Sequence, residues 1–314
     1  MLAFQTPPDA PKWKRRLIYS PLARIVIFIL IAGAVLGLMS LGVAALGLDK
    51  KDAPVLARRA SYFLRQLIPF LGAYLFLVYV IERRKPVELA WSRVLPEGLA
   101  GLIAGLVFIA SVVGIVWLAG SYVVTGTNPD VDWVRPLFLT GLGTAIAEEL
   151  MFRGVLFRIT EEGLGTWGAL GISALFFGGV HIMNPGATVW SSIAIAIEAG
   201  VLLGLAYHLT RSLPLVMGIH MAWNFTQGTI FGIPVSGLKE KGLLISTRPG
   251  SEWLSGGDFG IEASVVAVLV SIIASGLMIV AAQRRGTIAV RKRKPRPIME
   301  AAPSASSQEA THAH

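Results

Sequence analysis

The sequence predicts an all-α fold: a bundle of helices that crosses a lipid bilayer about eight times. Three observations predict it. Of 314 residues, 54% are hydrophobic and only 15% are charged, where a soluble domain carries about 25% charged residues. The mean hydropathy is +0.65. Several apolar runs reach the roughly 20 residues that a helix needs to cross the hydrocarbon core, without the short alternating segments of a transmembrane β-barrel. The 34 glycines and 17 prolines fit this class, since both residues are more frequent in transmembrane helices than in soluble ones.

The N-terminal segment, 1–22, begins MLAFQTPPDAPKWKRRL and is basic. The apolar run after it is too long for the core of a signal peptide and has no A-x-A-like cleavage site, so the first span is expected to be retained. Residues 23–135 hold three spans, at 23–48, 62–81 and 97–123. The third is long enough to tilt, or to begin along the interface around AWSRVLPEG. Residues 136–231 hold four more, at 136–157, 167–183, 189–209 and 213–231. Residues 232–260 form a long Gly/Ser-rich external loop, expected to be a cap or a flexible lid. The last span, at 261–283, contains VVAVLVSIIASGLMIVAA and reads as purely structural. The tail, 284–314, is basic and then low in hydrophobicity, the composition of a disordered segment. His312 and His314 lie there and are given no role.

The net charge is +9, and its distribution orients the bundle. With the N-terminus inside, Lys12, Lys14, Arg15, Arg16, Arg83, Arg84, Lys85, Arg93 and the basic tail share the cytoplasmic side. The positive-inside rule then places both termini in the cytoplasm of a bacterium-like membrane. The first external loop, DKKDAPVLARR, is itself basic and is expected to lie along the membrane surface. The tail RRGTIAVRKRKPRP is expected to touch anionic lipid, not nucleic acid. The absence of cysteine rules out disulfides, thiolate zinc sites and cysteine nucleophiles. No phosphate-binding glycine loop or nucleotide fingerprint occurs.

The chemistry lies in polar residues inside the spans. Glu148 and Glu149 are adjacent within PLFLTGLGTAIAEELMFRGVLF, and Arg153 shares the run. A centred charged residue costs roughly 2.5–3.5 kcal/mol on insertion scales, and crossing a membrane requires none. Glu149 and Arg153 are an i,i+4 pair and share a helix face. Glu148 lies about 140° around the helix from Arg153 and has no local partner. Desolvation suits such a carboxylate to general-base work. His181 lies four residues after Phe177, which stacks the two rings on one face, and Gly178 and Gly179 leave room for a neighbouring helix. His220 and Asn224 repeat the spacing and offer donors to one point, as an oxyanion requires.

Each residue also has a plainer reading. Glu149–Arg153 is readable as a structural ion pair, the histidines as packed residues, and Asn224 as a bond between helices. A proton path is the functional rival. Glu198 and His208 are further buried polar candidates, and Arg65 is placed either to pair with Glu198 or to reach the interface. By the rise of a helix, Glu148 lies near mid-membrane, His220 nearer the cytoplasmic end of its span and His181 nearer the outer end.

In order, EELMFR (Glu148–Arg153), FGGVH (Phe177–His181) and HMAWN (His220–Asn224) resemble the three motifs of the CPBP family: the type II CAAX prenyl endopeptidases and bacteriocin-processing enzymes, also called the Abi family. The resemblance covers 136–231. It implies an intramembrane protease acting on a membrane-associated protein or peptide, prenylated CAAX substrates among them. It implies Glu148 as the base that activates water, His181 as the group that holds that water, and His220 with Asn224 as oxyanion donors. Glu149 and Arg153 would fix the Glu148 helix. A zinc reading of the same residues uses Glu148, His181 and His220 as ligands with an open fourth position. The metal-free reading is preferred, because Glu149 is already committed to Arg153. The rivals are a non-catalytic immunity or peptide-binding member of the family, and a proton-coupled transporter, which would ordinarily show an internal repeat.

Overall fold

Ser20 and Ser264 each open a membrane helix by accepting a hydrogen bond from the backbone N–H three residues on, at 3.2 Å from Ala23 and 3.1 Å from Ala267, the capping that a helix start needs. In the computed structural model, which describes residues 4–290, the long helices are α1 (Pro21–Ala45), α2 (Val55–Ile81), α3 (Trp91–Leu118), α4 (Val134–His181), α5 (Val189–Thr210), α6 (Leu213–Phe225) and α7 (Val265–Arg284). Among the described residues six helices, all but α6, are long and apolar enough to cross a membrane. Each of the eight expected spans contains a helix. α4 holds two of them in 48 residues, broken at Gly165, where φ 73° and ψ 179° depart from helical geometry. That conformation is one a glycine adopts at little cost. α6 continues through wider, π-helical turns over Thr226–Ile230, and its His220, Asn224 and Gln227 make it too polar to count by composition alone. The expectations for the basic tail after Val290 and for His312 and His314 lie outside the described residues.

Three features differ from the sequence reading. The third span starts earlier and ends at Leu118; residues 119–122 turn, and Val123–Thr127 forms a strand, β1. β1 pairs antiparallel with β2 (Leu244–Thr247) from the 232–260 segment. VVTGT is β-branched and follows a glycine turn, which favours strand over helix. The second half of the basic loop before the second span, from Val55 on, belongs to α2, so Arg58 and Arg59 are helical, and Arg59 pairs with Asp132. The 232–260 segment is folded as a cap: Ile233, Val235 and Phe259 are buried, and the Gly237 N–H donates to Phe259 O at 2.6 Å.

Of the two glycines expected to admit a neighbouring helix, Gly178 does: a Cβ there would collide with Ser192 O and Ala196 on α5. Gly179 faces open space. At one end of the bundle a buried ionic network joins α1, α2 and α4. The Arg24 guanidinium bonds Glu82 at 2.7 Å and also Glu162, Arg158 bonds Glu82 at 3.0 Å, and Arg84 bridges Glu82 (2.7 Å) and Glu88 (2.6 Å). The Tyr74 hydroxyl donates to Glu88 at 2.6 Å.

Candidate active site

The first arm of α4 presents two different faces. Thr140, Thr144 and Glu148, spaced by four, line a polar cavity of about 90 Å³. Leu142, Ile146 and Leu150 line a separate apolar one of about 790 Å³ between α2, α3 and α6. The i,i+4 repeat of a helix dictates this division. The polar cavity is closed by α5, α6 and the cap, and holds Glu148, Phe177, His181, Glu198, His220 and Asn224 on its walls.

Glu149 and Arg153 make the expected i,i+4 ion pair at 2.9 Å, both wholly buried. Just beyond Glu149 the helix widens into π-helical turns, Leu150–Phe157, a distortion that recurs at functional sites. The Arg153 guanidinium also donates to the carbonyls of Ala199 and Gly200 on α5 and sits 4.8 Å above the Phe177 ring. One cation thus joins α4 to α5.

Glu149 Oε1 does a second thing that the sequence did not reveal. It accepts from His220 Nδ1 at 2.9 Å. An ionised carboxylate only accepts, so Nδ1 carries the proton. Nε2 of His220 then lies 3.9 Å from Glu148 Oε2. That oxygen is buried and has no hydrogen-bond partner among the described residues.

His181 is the last residue of α4. Its ring stacks on Phe177 at 4.9 Å and 22°, as expected, and its Nδ1 donates to Phe177 O at 2.7 Å, leaving Nε2 as an acceptor. Asn224 donates one amide N–H to Thr140 O at 2.9 Å and retains a second. The different depths expected for Glu148, His181 and His220 do not keep them apart: all three border one cavity at the capped end, because α4 stops at His181 and the cap folds over it. Among the described residues no three His, Cys, Asp or Glu side chains gather closely enough to hold a metal ion.

Arg65 does not reach Glu198; its guanidinium lies 4.7 Å from the Tyr62 ring. His208 lies outside the cavity, bonded to Glu161 at 3.0 Å and Thr287 at 3.1 Å. Glu198 does line the cavity, as do Asn184, Ser236 and Glu262, which sequence reasoning missed. Asn184 and Ser236 are joined at 3.0 Å.

One cavity of this apolar helical bundle thus brings together a carboxylate, two histidines and an asparagine. Residues 130–226 match the family model described as Type II CAAX prenyl endopeptidase Rce1-like, and over that stretch the chain is similar to the CPBP family. The matched stretch runs from before α4 into the end of α6 and so carries most of the cavity wall. No curated protein and no solved structure matches the chain.

Proposed function

We propose that the protein is an intramembrane endopeptidase that hydrolyses a peptide bond of a membrane-associated protein or peptide, prenylated CAAX chains being the class that the family description points to. The observation that carries this reading is the buried, unpartnered Glu148 Oε2 facing His220 Nε2 across the cavity. Water in the cavity gives a proton to Glu148 as its oxygen attacks the scissile carbonyl carbon. His181 Nε2 accepts from that water and orients it. The carbonyl oxygen, gaining charge, is met by the free Asn224 N–H and by the His220 ring. The steps use side chains alone. The basic segments and the bilayer supply the setting: both termini in the cytoplasm, with anionic lipid at the tail.

The test uses purified protein and a farnesylated peptide ending in a CAAX sequence. Wild-type protein is expected to cleave it and to keep its rate after exhaustive chelation. Glu148→Gln, equally folded, is expected to lose cleavage by about 100-fold or more. Turnover by Glu148→Gln at the wild-type rate contradicts the assigned base, and loss to chelation restored by zinc contradicts the metal-free steps.

A further inference from the structure

Glu198 is wholly buried on α5, lines the same cavity as Glu148, and among the described residues has no hydrogen-bond partner for either carboxyl oxygen. Buried carboxylates are ordinarily paired or bonded to donors. The contrast with its neighbours is sharp. Glu149 has Arg153 and His220. Glu262, also on the cavity wall, accepts from Gln227 Nε2, from the Ser236 N–H and from the Ser236 hydroxyl. Glu262, which lines the same cavity, is an acid like Glu198. Arg153 approaches the same turn of α5, but through the carbonyls of Ala199 and Gly200, and its charge is spent on Glu149.

As an anion Glu198 would be a buried charge with no counterion, which costs several kcal/mol. As the neutral acid it needs only an acceptor, and it carries a proton at the wall of the cavity. Its backbone segment, Ala196–Leu202, is π-helical, as are Leu137–Gly143 and Leu150–Phe157 beside the cavity.

Resting on the protease reading above, we propose that Glu198 is the general acid of the reaction, the group that delivers a proton to the departing amine. Amide hydrolysis needs such a group, because an amine does not leave as an anion. Water adds to the carbonyl carbon and loses one proton to Glu148. The tetrahedral intermediate then collapses: the C–N bond breaks, its electron pair stays on nitrogen, and nitrogen takes the Glu198 proton. The products are a carboxylic acid and a neutral amine, with Glu148 protonated and Glu198 ionised. Transfer of the proton from Glu148 to Glu198 through cavity water restores both. The reaction consumes one water and no other reactant.

An acid that serves only the leaving group is dispensable when that group departs unaided. The experiment compares the farnesylated CAAX peptide with the same acyl portion presented as an aryl ester, whose phenolate leaves as a stable anion. Glu198→Gln is expected to slow peptide cleavage about 100-fold or more while retaining ester hydrolysis. Equal loss on both substrates marks a role in folding or packing and overturns the proposal, as does peptide cleavage at the wild-type rate. Wild-type protein that cleaves neither substrate removes the protease reading and this inference with it. A Glu198 effect confined to the peptide separates the two.

Discussion

Glu149 holds a cation on its own helix and an imidazole on another, and both depend on its charge. Replacing it leaves Arg153 buried without a counterion, which costs about 3–5 kcal/mol. Glu149→Gln is therefore expected to melt well below the wild-type protein in detergent and to cleave poorly. The double variant Glu149→Gln/Arg153→Met removes both charges, and is expected to recover most of the thermal stability while cleavage stays low, because His220 has lost its carboxylate. Recovery of cleavage along with stability would show that Glu149 acts only through Arg153. Much of this was legible in the sequence. The i,i+4 spacing located the Glu149–Arg153 pair, left Glu148 free and stacked His181 on Phe177. The His220–Glu149 bond was not legible, since it joins residues 71 positions apart and nothing in local spacing encodes it. Glu198 was visible as a buried acid, but that it lacks every partner is a tertiary fact.

Among the elements, the junctions of α1, α2 and α4 depend on charge as well as apolar packing. Burial pushes the Glu82 carboxyl up, but Arg158 and Arg84 beside it outweigh that and hold it below the usual carboxylate range. Glu88 is held low in the same way, burial being overcome chiefly by Arg84. A carboxyl whose folded value is depressed contributes stability above its unfolded value, near pH 4.3, and loses that contribution as pH falls through the lower folded value. Thermal unfolding in detergent is expected to be flat in this respect above roughly pH 5 and to weaken below about pH 4. Glu82→Gln should lower the melting temperature at neutral pH and shrink that acid-dependent loss. An unchanged acid limb in the variant would contradict the assignment. The helices themselves were legible from apolar run length, because the bilayer sets that length. The β1–β2 pair and the cap were not. Their strands are only 5 and 4 residues long and lie far apart in sequence, so neither has an amphipathic period long enough to stand out.

For the molecule as a whole, orientation follows from charge bias, and the chain offers a clean way to measure it. It contains no cysteine, so a single introduced cysteine is the only thiol that a membrane-impermeant maleimide can label. In intact cells Lys239→Cys, in the cap, is expected to react, while Lys14→Cys is expected to react only after the membrane is opened. The reverse pattern would invert the bundle and put the cavity's capped end on the cytoplasmic side. Membrane class and helix content were readable from composition, since they are properties of averages. The closing of one cavity by α4, α5, α6 and the cap was not, because it depends on the break at Gly165 and on where α4 stops.

The central claim is that this cavity cuts peptide bonds with Glu148 as the base. Its most direct test is a mass-spectrometric comparison of peptide ends in membranes from cells that make the wild-type protein or Glu148→Gln at equal levels. New ends that appear with the wild type alone are the result expected, and they would name the substrates at the same time. Identical sets of ends from the two membranes would contradict the claim.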